Sequence, residues 1–261
     1  LIVAPLGLHE RTLGLIEREA QFARAGRPAR IVAKMKSLVD PDVILALYRA
    51  SQAGVSIDLI VRGICCLKAG IPGVSENIRV RALVDRFLEH ARIFVFEAGG
   101  AVEVYAASAD WMQRNFQRRI EVMFPIEDPK LKARLVDEIL ATELSDDMKA
   151  SELRPDGSYH RVAKRSGAGT RSQHVFWERA RAAALDADKR VQIDRPFVVR
   201  PVRKGPTLAP PPTPEPRNES RDSNPDGGDR PDRQTTRCVD AYLGNAAFGR
   251  PPRYPCAGRE G

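Results

Sequence analysis

The sequence predicts an α/β domain: a mixed β-sheet flanked by helices, with a disordered C-terminal tail. Three observations lead there. Strand-like and helix-like apolar patterns alternate from Leu1 to Val61, the order of a β-α-β-α-β unit. A Gly-Gly pair then joins two further alternating runs, which is the pattern of an antiparallel hairpin. Beyond about Asp186 apolar periodicity stops, and 12 of the chain's 20 prolines fall in residues 201–261.

Leu1–Pro5 is a short buried-strand pattern. From Leu8 to Ala25, Leu8, Leu13, Ile16, Ala20 and Ala23 recur at helical spacing, and Glu10, Arg11, Glu17, Arg18 and Glu19 fill the other faces. Gly26-Arg27-Pro28 stops this helix. Arg30–Lys36 alternates, with Ile31, Ala33 and Met35 on one face and Val32, Lys34 and Lys36 on the other, so one edge of the sheet is expected to carry positive charge. Asp40-Pro41 opens a helix with an N-cap carboxylate and Pro in the first turn; Val43, Ile44, Leu47 and Ala50 form its stripe, and Gly54 ends it. Val55–Val61 is the next strand, and units of this order usually build a parallel sheet. Ligands in open sheets of this kind sit beyond the carboxyl ends of the strands, where Arg62 lies.

Leu67–Asn77 reads as a loop and Ile78–Glu89 as a short strand followed by a turn or short helix. Ala91–Glu97 and Ala101–Ala107 form the hairpin around Gly99-Gly100. Arg118–Ile126 is a strand with Ile120, Val122 and Phe124 on one face. Asp128-Pro129 opens a helix to about Leu144, striped by Leu131, Leu135, Ile139 and Leu140. Tyr159–Ala163 is a short strand, and a final helix is expected over Gln173–Leu185, within residues 166–185. Residues 186–261 make the Pro/Arg-rich tail, whose bias also fits out-of-frame translation of a GC-rich gene.

The formal charge of +8 favours a polyanionic partner: nucleic acid, a phosphate-rich ligand or a membrane surface. No apolar run approaches the roughly 20 residues that span a bilayer. Cys65, Cys66, Cys238 and Cys256 lack the spacing of a zinc site or a disulfide framework, which suits a reducing, cytoplasmic setting with membrane association left open. The chain starts at Leu1 within a strand pattern, and a fragment of a larger protein is expected.

Candidate chemistry gathers between Arg62 and Arg119. His90 and Arg92 are two apart at the start of a strand and so share a face, near the strand end that carries Arg62. Guanidinium groups bind phosphate oxygens in bidentate fashion; imidazole can donate a hydrogen bond, accept a proton or take a phosphoryl group. Ser108, Asp110, Trp111 and Asn115 follow the hairpin at a strand-to-helix corner and either cap the helix or line the same pocket. Arg118 and Arg119, adjacent on a strand, point to opposite faces, with Glu121 placed to orient Arg119. His9, His160 and His174 read as inert surface residues.

Lys34-Met35-Lys36-Ser37-Leu38-Val39-Asp40-Pro41, Asp58–Cys65, Gly73–Val80 and the segments around His90, Ser108–Asn115 and Arg118–Val122 resemble the last domain of bacterial polyphosphate kinase. The resemblance covers roughly residues 1–165 and implies a phospholipase-D-like α/β domain, in which His90-Ala91-Arg92 is a degenerate His-x-Lys with Asn115 following. It implies reversible transfer of the ATP γ-phosphate to polyphosphate. Arg62, His90 and Arg119 then match ATP- and polyphosphate-binding residues, with His90 in a secondary catalytic role, and Arg92, Ser108, Asp110 and Asn115 are candidate lining residues. ATP and Mg2+ are the implied cofactors. ATP or ADP, inorganic polyphosphate, the enzyme's N-terminal domains and a further copy in a homo-oligomer are the implied partners.

That family's phosphorylated histidine and magnesium-linked arginines belong to preceding domains. This chain is therefore expected to hold half an active site, with no metal ligands of its own and negligible turnover alone. Two alternatives remain at this point: a non-catalytic module binding polyphosphate or nucleic acid, and half of a phospholipase-D-type phosphodiesterase.

Overall fold

The computed structural model describes residues 1–164, 167 and 169–191. Among these, Leu1–Glu178 form one compact unit and Arg179 onward belongs to a second. The elements in order are β1 (Ile2–Ala4), α1 (Leu8–Arg24), β2 (Arg30–Met35), α2 (Pro41–Gln52), β3 (Ser56–Val61), β4 (Ile78–Leu83), β5 (Ile93–Phe96) and β6 (Glu103–Ala107). Then come α3 (Gln113–Gln117), β7 (Glu121–Pro125), α4 (Pro129–Ala133), a π-helical stretch Arg134–Leu140, α5 (Ala141–Leu144), β8 (Ala150–Leu153), β9 (Tyr159–Arg161) and α6 (Ser172–Val191).

The nine strands among the described residues lie in one mixed sheet, in the order β1-β7-β6-β5-β2-β3-β4-β8-β9. The run β2-β3-β4 is parallel, and the remaining pairings are antiparallel. The expected parallel arrangement thus holds for three strands only. β1 sits at the far edge against β7, because the β5-β6-β7 meander inserts between it and β2.

Two cores cover the two faces. Ile31, Ala33 and Met35 of β2 join Ile57, Leu59 and Val61 of β3 beneath α1 and α2. Val32, Ile60, Leu83, Ile93 and Val95 face the other way, against Leu140 with Leu135 and Ile139. Each such aliphatic side chain fully removed from water contributes about 1.5–3 kcal/mol, so the sheet centre is held from both sides. α2 starts as its sequence dictates: the Asp40 carboxylate accepts from Val43 N (3.0 Å), with Pro41 in the first turn.

Several expectations need correction. Glu19 is fully buried rather than on an open face; its carboxylate accepts from Ala98 N (2.9 Å) and Arg30 N (3.3 Å), and burial raises its pKa despite those bonds. Lys34 does not charge a sheet edge, because it is buried between Glu89 and Glu143. The strand expected over Arg118–Ile126 is β7, which starts at Glu121, and its inward face is Glu121 and Met123, while Ile120 is 86% exposed. The alternation of a strand forces this: once Glu121 turns in to meet Ser108 and Asn115, Ile120, Val122 and Phe124 must turn away. His90 and Arg92 precede β5 instead of opening it. Strand β8 has no counterpart in the sequence reading. Of the tail expected from residue 186, residues 186–191 continue α6, and 192–261 lie outside the described residues. No helix among the described residues is long and apolar enough to cross a membrane.

Candidate functional site

The carboxyl ends of β2, β3 and β6 and the starting ends of β5 and β7 meet at one edge of the sheet. The chain leaving β2 is the hub. Lys36 N donates to Asp110 Oδ1 (2.8 Å), and Lys36 O accepts from Gly63 N (2.8 Å). Leu38 then bridges to Cys65 on one side and Trp111 on the other. Gly63 is required here. A Cβ at this position would lie 2.8 Å from Lys36 O, inside any tolerated contact. This close approach sets Arg62 beside the exposed Lys36.

On the other flank Asp110, 4% exposed, holds Arg92 through Nε to Oδ1 (3.0 Å) and Nη2 to Oδ2 (3.2 Å). Arg92 Nη1 donates in turn to His90 O (3.0 Å). Arg92 and Asp110 are therefore committed to each other, and Arg92 fixes the backbone that carries His90. Glu121 accepts from Ser108 Oγ and from Asn115 Nδ2 (2.5 Å), while Ser108 Oγ accepts from Val122 N (3.0 Å). Ser108 and Asn115 thus tie β7 to the corner. Glu121 serves them and not Arg119, which is exposed between α3 and β7 together with Arg118.

The structure thus brings Arg62, His90, Arg92, Ser108, Asp110 and Asn115 to one edge, with Arg119 farther along it. Arg62 is half-buried and His90 exposed. Neither side chain, nor that of Lys36 or Arg119, has a hydrogen-bond or ion-pair partner among the described residues. The result is an edge whose acids are internally neutralised while its free cations face outward. It can hold the oxygens of a polyanion by charge-assisted hydrogen bonds.

Behind this edge lies a cluster that the sequence reading missed. Lys34 Nζ meets Glu89 Oε2 at 2.5 Å and also contacts the carboxylate of Glu143. Burial pushes the Glu143 carboxyl up to about 7, against the pull of Lys34. Burial also raises Glu89, but Lys34 and Gln173 outweigh it and leave Glu89 below its ordinary value. Two clues pointed here. Lys34 interrupts an otherwise apolar strand, and Glu143 falls on the helical stripe of Leu135, Ile139 and Leu140. Another histidine was also misread. His9 is largely buried; it meets Asp40 at 3.1 Å and packs on Phe116, tying α1 to the start of α2.

Asp110 and Glu121 are occupied by protein donors. His9, Asp40 and Asp42 come within ligand distance of one another, but at the positive end of α2, with Asp40 already serving Val43 N.

Comparison with known proteins is consistent across sequence and structure. The family model described as polyphosphate kinase C-terminal domain 2 matches residues 1–173. A polyphosphate kinase from Burkholderia vietnamiensis is 56% identical over 172 residues, 66% of this chain and 25% of that protein. One from Thermosynechococcus vestitus is 52% identical over 174 residues, 67% and 24% of the two chains. The crystal structure of polyphosphate kinase from Porphyromonas gingivalis superposes with a TM-score of 0.66 at 42% identity, covering 70% of this chain and 28% of that one. The chain spans about a quarter of the length of the curated relatives it matches.

Proposed function

The chain belongs to the polyphosphate kinase family, through C-terminal domain 2, and from that premise we propose that its sheet edge forms one wall of an ATP and polyphosphate site. The observation that carries this reading is the pairing state of the edge. Arg62, Lys36, His90 and Arg119 are free to meet phosphate, whereas Asp110 and Glu121 are satisfied from within.

During phosphoryl transfer, charge spreads over the oxygens of the group in flight, and catalysis consists largely of holding and neutralising them. Arg62 presents a guanidinium fork to phosphate oxygens, and Lys36 adds a point charge beside it. The His90 imidazole donates a hydrogen bond to a phosphate oxygen, a secondary role beside the group that attacks. Arg119 continues the basic path along the edge. The attacking group, the metal ligands and the opposite wall come from residues outside this stretch. ATP or ADP, polyphosphate, the rest of the enzyme and further copies of it are the partners of this reading.

Two measurements test it. Calorimetric titration of the chain with tripolyphosphate at low salt should show binding that weakens about tenfold for each of Arg62→Ala and His90→Ala, the scale of a lost charged hydrogen bond. If the double variant binds normally and only loss of residues 186–261 removes binding, the edge is a bystander. The chain alone should form no polyphosphate from ATP, and measurable turnover by the purified chain would overturn the half-site account.

A further inference from the structure

His90 lies on a stretch, residues 84–92, with no helix or strand, and apolar burial does not hold it down. Val84, Phe87 and Leu88 are 67%, 54% and 69% exposed. What fixes it is a set of polar bonds from the first turn of α6. The Gln173 amide pairs with both backbone groups of Phe87, accepting from its N–H and donating to its carbonyl, each at 2.8 Å. The same Nε2 donates to Glu89 Oε1 (2.8 Å), whose other oxygen meets Lys34. Two residues earlier, Arg171 clasps Asp85 with two bonds of 2.6 and 2.7 Å, which hold the Asp85 carboxyl below its usual range. α6 is itself anchored: Asp146 accepts from Ser172 N (2.7 Å) and Ser172 Oγ (2.8 Å).

We infer that Gln173 is a positioning residue for His90, with Lys34 and Arg171 completing the clamp on the loop that presents the imidazole. This rests on the proposed role of His90 at the phosphate edge. The Gln173 side chain acts as a short strand partner for Phe87 and orients Glu89, the residue directly before His90. On the far side Arg92 holds the His90 carbonyl. The backbone is thus gripped on both sides of the histidine while the ring stays free. A catalytic group held in place before its ligand arrives does not lose that freedom on binding.

The test uses the whole chain with tripolyphosphate as probe, reading the His90 ring by nuclear magnetic resonance alongside calorimetric affinity. In the unaltered chain the His90 ring signal should move on titration. In Gln173→Ala the affinity should fall about tenfold and the His90 signal should broaden and lose its response, while the Gly63 amide beside Arg62 still responds. Gln173→Glu keeps an acceptor for the Phe87 N–H but has no donor for the Phe87 carbonyl or for Glu89, and should lose both readouts as Gln173→Ala does. If Gln173→Ala keeps the affinity and the His90 response, the inference is wrong and the phosphate reading stands. If the His90 ring of the unaltered chain ignores tripolyphosphate, both fall. Amide exchange in the unaltered chain needs no variant: the Phe87 N–H should be protected well beyond those of Arg86 and Leu88, and equal exchange at all three would overturn the clamp.

Discussion

Replacing Glu143 by Gln isolates the buried acid behind the site. Glu143 is 1% exposed, and burial lifts its carboxyl to about 7 against the pull of Lys34, with the Glu89 carboxylate beside it adding to the rise. An ordinary glutamate in the unfolded chain titrates near 4.5. Between these values the folded state binds the proton more tightly than the unfolded state. Stability from this group therefore falls as pH rises from about 4.5 to about 7. The difference of about 2.5 pKa units corresponds to about 3 kcal/mol at most, since coupling to Glu89 and Lys34 shares the titration. Gln keeps the shape and an acceptor for Lys34 but cannot ionise. Urea unfolding followed by fluorescence of Trp111, buried against Phe94, should show Glu143→Gln gaining on the unaltered chain as pH rises from 5 to 8. The groups with lowered pKa, such as Asp85 and Glu103, act in the opposite sense but are common to both proteins. Parallel stability curves across that range would refute the reasoning.

Two further outcomes follow from the site geometry. Asp110→Ala removes the acceptor of Lys36 N and leaves the Arg92 charge without its carboxylate at a largely buried position, with only the His90 carbonyl as partner. Stability should drop by about 3 kcal/mol in urea unfolding, and a loss below about 0.5 kcal/mol would contradict the pairing. Gly63→Ala forces a methyl against Lys36 O and should cost about 1–3 kcal/mol, with a weaker calorimetric affinity for tripolyphosphate because Arg62 moves with the strand end.

Periodicity made most elements legible. Caps at Asp40 and Asp128, glycine ends at Gly26 and Gly54, and the turn at Gly99-Gly100 all carry their own local physics, and each appears where the residues indicate. That Arg62 ends a strand and that His90 and Arg92 lie where another begins was legible from the pattern; which of these ends meet depends on the antiparallel β5-β6-β7 meander. What failed were charged residues inside cores. Glu19, Lys34, Glu121 and Glu143 look like solvent residues until their partners are known; those of Glu19, Lys34 and Glu143 include residues far along the chain, and those of Glu121, Ser108 and Asn115, are near in sequence but meet it only once the corner before β7 folds. The same error reversed the face of β7. The roles of Arg92, Ser108, Asp110 and Asn115 as mutual partners also depend on tertiary geometry that spacing does not encode.

The bond between Phe87 and Gln173 spans 86 residues of sequence. During synthesis the histidine loop leaves the ribosome long before the residue that grips it, by on the order of ten seconds at typical elongation rates. The parallel strands and their helices have everything they need in that interval, since β2, β3, α1 and α2 contact one another locally. Assembly of the sheet and maturation of the site are thus separable in time, and the nascent chain carries its basic edge with a loosely held histidine until α6 emerges.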